Sequence, residues 1–158
     1  MKLLFALLLL GVAGVSALVA NSGIKRVILF DGVCNFCNKW VDTVLSLDKK
    51  KQFKFAALQT EAGRNLLESL GKHPDDLSSV IYIRSLDPLP DFYTKSDAAL
   101  KVAEDLGMPS FLTFTAFALI PKTVRDNVYD MIATNRYSIL GRREESRCGD
   151  TRYSDRFL

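Results

Sequence analysis

Cysteine and histidine are scarce in this chain, which has three cysteines and one histidine among 158 residues. Cys34, Cys37, Cys148 and His73 would be enough in number for a tetrahedral zinc site. Structural zinc sites usually draw on two closely spaced ligand pairs, however, and only Cys34 and Cys37 form such a pair. Zinc binding is therefore an alternative that the spacing disfavours, and the close cysteine pair needs another explanation.

The chain also lacks a strong excess of charge, an internal repeat and a low-complexity segment. Its formal net charge is +3, and basic runs such as Lys49-Lys50-Lys51 and Arg142-Arg143 are interleaved with acidic residues. Since a nucleic-acid-binding face would be a concentrated basic patch, we expect no nucleic-acid partner. Hydrophobic residues make up 48% of the chain and charged residues 25%, which indicates one globular domain with enough apolar material for a core.

The first 20 residues form a segment of a different kind. After Lys2, the stretch Leu3–Ala20 carries no charge, consists mostly of Leu, Val and Ala, and ends in small residues. This pattern is typical of a secretory signal peptide that is removed from the mature protein. The alternative is an uncleaved anchor, because 18 largely apolar residues are close to the minimum for a membrane span. We expect membrane contact only in that alternative.

This segment also bears on the redox environment of the cysteines. A protein of the secretory pathway, or a secreted one, enters an oxidising compartment in which a cysteine pair can persist as a disulfide. In a reducing compartment the same pair would rest as thiols. Onward transport to an organelle such as a plastid would change the compartment and is left open.

Behind this segment, hydrophobic patterning predicts alternating strands and helices. We expect strands at 27–30, 53–58, 80–83 and 91–94, and helices at 34–46, 60–71 and 96–107. Thr60 and Ser96 are placed to open the second and third of these helices. A β-α-β half followed by a β-β-α half is an α/β sandwich with a small mixed sheet flanked by helices, which is the layout of a thioredoxin-like domain. The apolar stretch 111–119 and the helical spacing of apolar residues in 124–137 predict extra C-terminal helices.

From these segments we predict that the chain is divided into three parts. Residues 1–20 are the signal peptide or N-terminal anchor, residues 24–147 the thioredoxin-like domain, and residues 148–158 a C-terminal tail. Cys148 falls in this tail, and we interpret it as a free surface thiol in a loose segment rather than as a third redox partner.

The most informative segment is Asp31–Cys37, which contains two cysteines and directly follows the first strand. Apolar residues recur at i+3, i+4, i+7 and i+8 from Cys37, which predicts an amphipathic helix with Cys37 on its buried face. Cys34 would lie at the start of this helix, where unpaired N–H groups and the helix dipole favour a thiolate. We therefore predict Cys34 as an exposed attacking thiolate and Cys37 as a shielded resolving thiol. Gly32 is expected to supply a positive φ for a tight turn.

Asp31 precedes the first thiol by three residues and has two interpretations. In one, Asp31 acts as a general base that accepts the proton of Cys37 when Cys37 attacks a mixed disulfide. In the other, its carboxylate only hydrogen-bonds the turn around Gly32. The residues alone leave both interpretations open.

Several motifs, taken in order along the chain, resemble one protein family. They are Phe30–Cys37, Ser96-Asp97-Ala98-Ala99, Ile120-Pro121, Arg125-Asp126, Val128-Tyr129, Asn135-Arg136-Tyr137 and Gly141-Arg142-Arg143. Over about residues 27–147 the chain resembles the DCC family of thiol-disulfide oxidoreductases, named for one Asp and two Cys. The resemblance implies a thioredoxin-like fold, with Asp31, Cys34 and Cys37 as the signature residues and with mostly undefined physiological substrates.

The chain departs from thioredoxins at one position near the site. Thioredoxins place a cis-proline immediately before the strand that faces the dithiol, whereas Ser78-Ser79 precede Val80 here. We therefore expect substrate docking at this loop to differ from that of thioredoxin.

The arginines of the later motifs also have two interpretations. Arg136, Arg142 and Arg143 could lie near the dithiol and stabilise a Cys34 thiolate, because a nearby cation favours the charged form of a thiol. The favoured interpretation is that they form ordinary ion pairs with nearby acidic residues, namely Asp126, Asp130, Glu144 and Glu145.

The sequence thus predicts an enzyme, a thiol-disulfide oxidoreductase that needs no bound cofactor. Cys34 attacks a protein or small-molecule disulfide, Cys37 resolves the mixed disulfide, and Asp31 assists proton transfer. The partners are a thiol or disulfide client and a redox donor or acceptor, neither identified by the sequence. Besides zinc binding, the alternative is a non-catalytic thioredoxin-like binding module with a structural disulfide, which so short a loop would stabilise little. The residues between the cysteines do not fix the direction of electron flow.

Overall fold

The computed structural model describes residues 26–86, 89–109, 111, 115, 119–147 and 151–158. Within these ranges the strands are β1 (Val27–Phe30), β2 (Lys54–Ala57), β3 (Ile81–Ser85) and β4 (Asp91–Thr94). The helices are α1 (Asn35–Leu47), α2 (Glu61–Ser69), α3 (Lys95–Asp105) and α4 (Lys122–Leu140), followed by a 3-10 helix over Thr151–Arg156.

The four strands form one mixed sheet in the order β2-β1-β3-β4. β1 runs parallel to β2 and antiparallel to β3, and β3 runs antiparallel to β4. Helices cover both faces, so the α/β sandwich with a small mixed sheet is confirmed, and the arrangement is that of a thioredoxin-like fold. The parallel pairing brings the C-terminal ends of β1 and β2 to the same edge, where the cysteine segment begins.

The continuous apolar run of β1 follows from this burial on both faces. Successive side chains of a strand point to opposite faces, so Ile28 and Phe30 pack on one side and Val27 and Leu29 on the other. The first pair lies against apolar residues of α1 and α3. The second pair lies against α2.

The sequence predicts a capping residue for two helices, and the structure confirms one of these two predictions. Thr60 caps α2 as predicted, because its hydroxyl oxygen accepts the backbone N–H of Gly63 at 3.1 Å. The prediction that Ser96 caps α3 is wrong, because β4 runs directly into the helix and Thr94 occupies the cap position. The hydroxyl of Ser96 instead donates to the carboxylate of Asp126 at 2.5 Å, which ties α3 to α4.

One of the predicted extra C-terminal helices is confirmed as α4, which packs against α1 and α3. The other, at 111–119, lies mostly outside the described residues. α4 ends at Gly141, whose φ of 80° is a left-handed conformation that favours glycine. This bend turns the chain back across the start of α1.

The prediction of a loose C-terminal tail does not hold for residues 151–158. Phe157 forms a parallel bridge with Phe55, and the backbone N–H of Leu158 donates to the carbonyl of Phe55 at 2.9 Å. Arg156 is buried and pairs with the buried carboxylate of Asp48 at 2.5 Å. Cys148 lies outside the described residues.

The predicted signal peptide or anchor at 1–20 also lies outside the described residues. Among the helices that the structure does describe, we find none with both the length and the apolar character needed to span a membrane.

Candidate active site

The cysteine pair is positioned by the turn between β1 and α1. The backbone N–H of Cys34 donates to the carbonyl of Asp31 at 3.2 Å, and Cys34 is the cap residue of α1. The Cys34 sulfur accepts the backbone N–H of Cys37 at 3.2 Å. An amide directed at a sulfur at a helix start stabilises a thiolate more than a thiol. Cys34 therefore lies at the helix start, as the sequence predicts, with a backbone amide directed at its sulfur.

The predicted exposure of the two cysteines is wrong. Cys34 has no exposed surface, whereas Cys37 is half-buried. The cause is the segment Gly141–Arg143, here named the crossing segment, which lies over the start of α1 and forms an antiparallel bridge between Cys34 and Arg142. Sequence patterning along α1 could not reveal a cover that comes from more than 100 residues away.

Hydrogen bonds on both sides of Cys34 hold the crossing segment. The backbone N–H of Arg143 donates to the carbonyl of Val33 at 2.8 Å, and the backbone N–H of Asn35 donates to the carbonyl of Gly141 at 3.3 Å. The Asn35 side chain donates to the carbonyl of Leu140 and accepts from the Arg143 guanidinium, both at 3.0 Å. Asn35 therefore fastens the crossing segment with its backbone and its side chain.

Cys37 packs against the core and lines a cavity at the side of α1. Burial, above all, raises the pKa of the Cys37 thiol, and its hydrogen bond with Cys34 and the negative charges of Cys34 and Asp31 raise the pKa further. The positive charge of Arg136 opposes these effects only in part. Cys37 is therefore held as a thiol, in agreement with the protonated state expected of a resolving cysteine.

Asp31 is only 4% exposed, and both of its carboxylate oxygens have partners. One oxygen accepts from the backbone N–H of Val33 at 3.2 Å and from the Gln59 amide at 2.7 Å. The other accepts from the Arg136 guanidinium at 3.1 Å and from the Tyr137 hydroxyl at 2.5 Å. The turn interaction is thus present, and Asp31 is among the residues that line the cavity beside Cys37.

For Arg136, the favoured interpretation as a partner of nearby acidic residues is wrong. Its guanidinium pairs with Asp31, 105 positions away, and also donates to the carbonyl of Leu77 at 3.1 Å. The acidic residues expected as its partners pair elsewhere: Asp126 with Lys122 at 2.8 Å and Asp130 with Lys95 at 2.7 Å. Arg136 therefore neutralises the buried Asp31 carboxylate next to the dithiol.

The other two arginines lie at the crossing segment. The Arg142 guanidinium lies 5.6 Å from the centre of the Tyr137 ring, and Arg143 binds the Asn35 side chain. They contribute to the cover over Cys34.

Two site residues were missed by the sequence analysis. Gln59 bridges the turn, because its carbonyl oxygen accepts the N–H of Gly32 at 2.9 Å while its amide donates to Asp31. Asn38 of α1 is buried and donates to the carbonyls of Gly32 and Cys34 at 2.9 and 2.8 Å. Gln59 closely follows β2, so the parallel pairing of β1 and β2 could have indicated its position beside Asp31.

Gly32 has a different role from the one predicted. It does not adopt a positive φ. A Cβ atom at this position would lie 2.2 Å from the Ser146 hydroxyl oxygen and 2.8 Å from the Cβ of Ala57. Gly32 is therefore required by the close approach of two neighbouring chain segments rather than by backbone conformation.

The cavity beside Cys37 has a volume of about 250 Å³. Its walls come from α1, the loop before β3, α3 and α4, and they include Phe36, Cys37, Trp40, Leu77, Ser78, Ser79, Val80, Ala99, Tyr129, Ile132, Ala133 and Arg136. The Ser78-Ser79 pair, which stands where thioredoxins have a cis-proline, thus lines the same cavity as Cys37. The backbone N–H of Val80 donates to the Tyr129 hydroxyl at 2.9 Å.

The residues of the possible zinc site do not form a cluster in the described part of the chain. No group of three or more histidine, cysteine or acidic residues placed to hold a metal ion occurs there. His73 is exposed in the loop after α2, where its Nδ1 atom accepts the N–H of Asp75 at 3.2 Å. Cys148, the remaining member of the set, is outside the described residues.

Comparison with known proteins relates this site to a family. The model of the DCC1-like thiol-disulfide oxidoreductase family matches residues 28–142. A chloroplastic DCC family protein of Arabidopsis thaliana is 42% identical over 120 residues, which cover 75% of this chain and 66% of the plant protein. The uncharacterized protein YuxK of Bacillus subtilis (strain 168) is 41% identical over 134 residues, which cover 85% of this chain and 94% of that protein. No solved structure matches. The chain, with its Asp31, Cys34 and Cys37 at one turn, therefore belongs to the DCC1-like thiol-disulfide oxidoreductase family.

Proposed function

We propose that this protein catalyses thiol–disulfide exchange through Cys34 and Cys37. The observation that carries the proposal is the difference between the two sulfurs. Cys34 accepts a backbone N–H at the start of α1, whereas the pKa of Cys37 is raised mainly by burial. On this basis we assign the attacking role to Cys34 and the resolving role to Cys37, whose raised pKa favours the thiol.

In the first step, the Cys34 thiolate attacks one sulfur of a client disulfide. A bond forms between Cys34 and that sulfur, the client S–S bond breaks, and the other client sulfur leaves as a thiolate with the electron pair. Cys37 then loses its proton and attacks the Cys34 sulfur, which releases the second client thiolate. The client has gained two electrons, and Cys34 and Cys37 have become a disulfide. A dithiol reductant restores the enzyme, and the reverse sequence oxidises a client dithiol.

Asp31 is the proposed acceptor of the Cys37 proton. Its carboxylate lines the same cavity as Cys37, and Arg136 balances its negative charge. The accepted proton passes to the departing client thiolate, so that no net charge remains in the buried site. No bound cofactor takes part in these steps.

Cys34 has no exposed surface and is bridged to Arg142 of the crossing segment, so attack by Cys34 is proposed to require that this segment move. Its contacts with Asn35 are exposed hydrogen bonds, which contribute little net stability each.

The location of the protein is also a proposal. The Arabidopsis relative is named as chloroplastic. We propose that residues 1–20 direct this chain to the secretory pathway or to an organelle such as a plastid and are then removed. Mass spectrometry of the protein from its native cells should show a mature N-terminus near residue 21. Recovery of the intact N-terminus in the membrane fraction would favour the anchor instead.

The catalytic roles are tested by trapping the mixed disulfide. The purified Cys37→Ser variant should accumulate a covalent adduct with a model client disulfide at Cys34, because the resolving thiol is gone, and Cys34→Ser should accumulate none. The wild-type protein should turn over that disulfide with a dithiol reductant. Adducts formed equally well at Cys37 in Cys34→Ser would reverse the roles, and an inert dithiol in a protein that purifies with one zinc ion would contradict the proposal.

A further inference from the structure

We propose that the cavity beside Cys37 receives an uncharged, apolar side chain next to the reacting cysteine of a client polypeptide. The inference rests on the proposed exchange reaction and adds its substrate class. Clients with Phe, Leu or Met beside the disulfide are then preferred, and glutathione disulfide is a poor substrate.

The cavity wall is apolar on three sides. Trp40 comes from α1, Ala99 from α3, and Ile132 and Ala133 from α4. An apolar group that enters such a space leaves water and gains contact with the wall, both of which favour binding.

The charged groups of the cavity offer no charge for a ligand to pair with. Asp31 and Arg136 are bound to one another, and each is further satisfied by other protein groups. A charged ligand would lose its hydration without gaining an opposite charge in return. Glutathione, which carries two carboxylates and an ammonium group, therefore does not match this cavity.

The backbone of the loop before β3 already has a hydrogen-bond partner at the cavity. The N–H of Val80 donates to the hydroxyl of the half-buried Tyr129 of α4. Recognition at this residue must therefore come from side-chain contact rather than from pairing with a client strand.

The size of the cavity indicates a single side chain. At about 250 Å³ it lies just below the range of pockets that enclose a drug-sized molecule, so it admits an aromatic or branched aliphatic group but not a folded peptide. Because Cys37 is in the wall, a residue adjacent to the client cysteine would enter the cavity while the client sulfur is joined to Cys34.

The test compares symmetrical peptide disulfides that differ only in the residue next to cysteine, which is Phe, Leu, Ser or Glu. The rate constant for their reduction by the full-length reduced protein is divided by the rate constant with dithiothreitol, which corrects for intrinsic reactivity. Burying one such side chain should make the Phe and Leu peptides react roughly 10-fold faster or more than the Ser peptide. Glutathione disulfide should be slower than either.

Two cavity-filling variants and one matched control complete the test. Ala133→Phe and, independently, Ala99→Leu should lower the ratio of the Phe rate to the Ser rate towards the ratio seen with dithiothreitol. Thr134→Phe adds the same side chain at the adjacent, exposed position of α4 and should leave the ratio as in the wild type. Thermal unfolding establishes that each variant is folded.

Each contrary result has a separate meaning. Equal corrected rates for the Phe and Ser peptides, or a preference that survives in both cavity-filling variants, would overturn the inference while the exchange reaction stands. A faster corrected reaction with dibenzyl disulfide than with the Phe peptide would assign the cavity to a small molecule and would also overturn it. If no disulfide is reduced and no Cys34–Cys37 disulfide forms, the exchange reaction itself is wrong.

Discussion

The Cys34 sulfur lies at the start of α1 with a backbone amide directed at it, while the Cys37 sulfur faces an apolar cavity. Only two residues lie between them, yet the surroundings of the two sulfurs differ. Cys34 lies where backbone N–H groups and the helix dipole act on it, and burial together with neighbouring negative charge raises the pKa of Cys37. The division of labour proposed for the pair thus depends on local electrostatics and not on greater exposure of Cys34.

The raised pKa of Cys37 gives a test at the level of a single group. In Cys34→Ser, burial remains, and it is the largest cause of the raised pKa. Since only the thiolate is alkylated, the rate of reaction of Cys37 with iodoacetamide should keep rising with pH beyond about 8.5, the ordinary cysteine pKa. The same variant in urea should level off near that pH. A native rate that levels off at or below the pH of the unfolded control would contradict the assignment of Cys37 as the protonated thiol.

Asn35 gives a second test, because its side chain fastens the crossing segment. In Asn35→Ala, two hydrogen bonds worth about 0.5–1.5 kcal/mol each are lost. The crossing segment should then open more often, and alkylation of Cys34 in a Cys37→Ser background should become roughly 5-fold faster or more. Lys39→Ala, an exposed change on the same helix, is the control and should have no effect. An unchanged rate in Asn35→Ala would mean that Cys34 is reached by another route.

The residues of the site were predictable to different degrees. Asp31, Cys34 and Cys37 lie together in the sequence, and they lie at one turn between β1 and α1 in the structure, although the exposure of the two cysteines is the reverse of the one predicted. Arg136 and the crossing segment lie more than 100 residues away, so their contacts with Asp31 and Cys34 depend on how α4 packs and could not be read from local patterning.

At the scale of elements, the strands were predictable because their composition reflects their burial. β1 is apolar throughout since both of its faces are covered, whereas helix starts depend on the preceding connection. β4 leads into α3 without a loop, so the helix begins before Ser96, the residue with the best capping side chain. The C-terminal residues have a polar sequence typical of a loose tail, and the buried pair of Arg156 with Asp48 shows why this expectation was wrong.

That pair predicts a strong dependence of stability on the C-terminus. Arg156→Ala would leave the buried Asp48 carboxylate without its cation and should lower the free energy of unfolding by roughly 3–5 kcal/mol. Arg152→Ala, in the exposed part of the same 3-10 helix, should change it by less than about 0.5 kcal/mol. Urea unfolding of both variants measures the difference.

The double variant Arg156→Ala with Asp48→Asn separates charge from packing. It should recover part of the lost stability, because the uncompensated charge is gone. If Arg156→Ala were no less stable than Arg152→Ala, the C-terminal residues would not be part of the folded core.

At the scale of the whole molecule, the mixed sheet brings the ends of β1 and β2 to one edge, and the C-terminal part of the chain encloses that edge. The order of strands and helices follows from alternating hydrophobic patterns, so the fold could be predicted. The enclosure could not, because it depends on how α4 packs against α1 and on the bend at Gly141. The sheet and the turn after β1 therefore determine where the dithiol lies. α4 and the crossing segment, later in the chain, provide the cover over Cys34, the ion-pair partner of Asp31 and part of the cavity wall.

The most direct test of reversible dithiol chemistry is a redox titration of the full chain in glutathione buffers, with the state of Cys34 and Cys37 read by mass spectrometry and bound metal measured in parallel. We predict one reversible Cys34–Cys37 disulfide with a defined midpoint in the wild type, and none in Cys34→Ser or Cys37→Ser. The absence of this disulfide at every ratio of reduced to oxidised glutathione, together with one bound zinc ion per chain, would contradict the account.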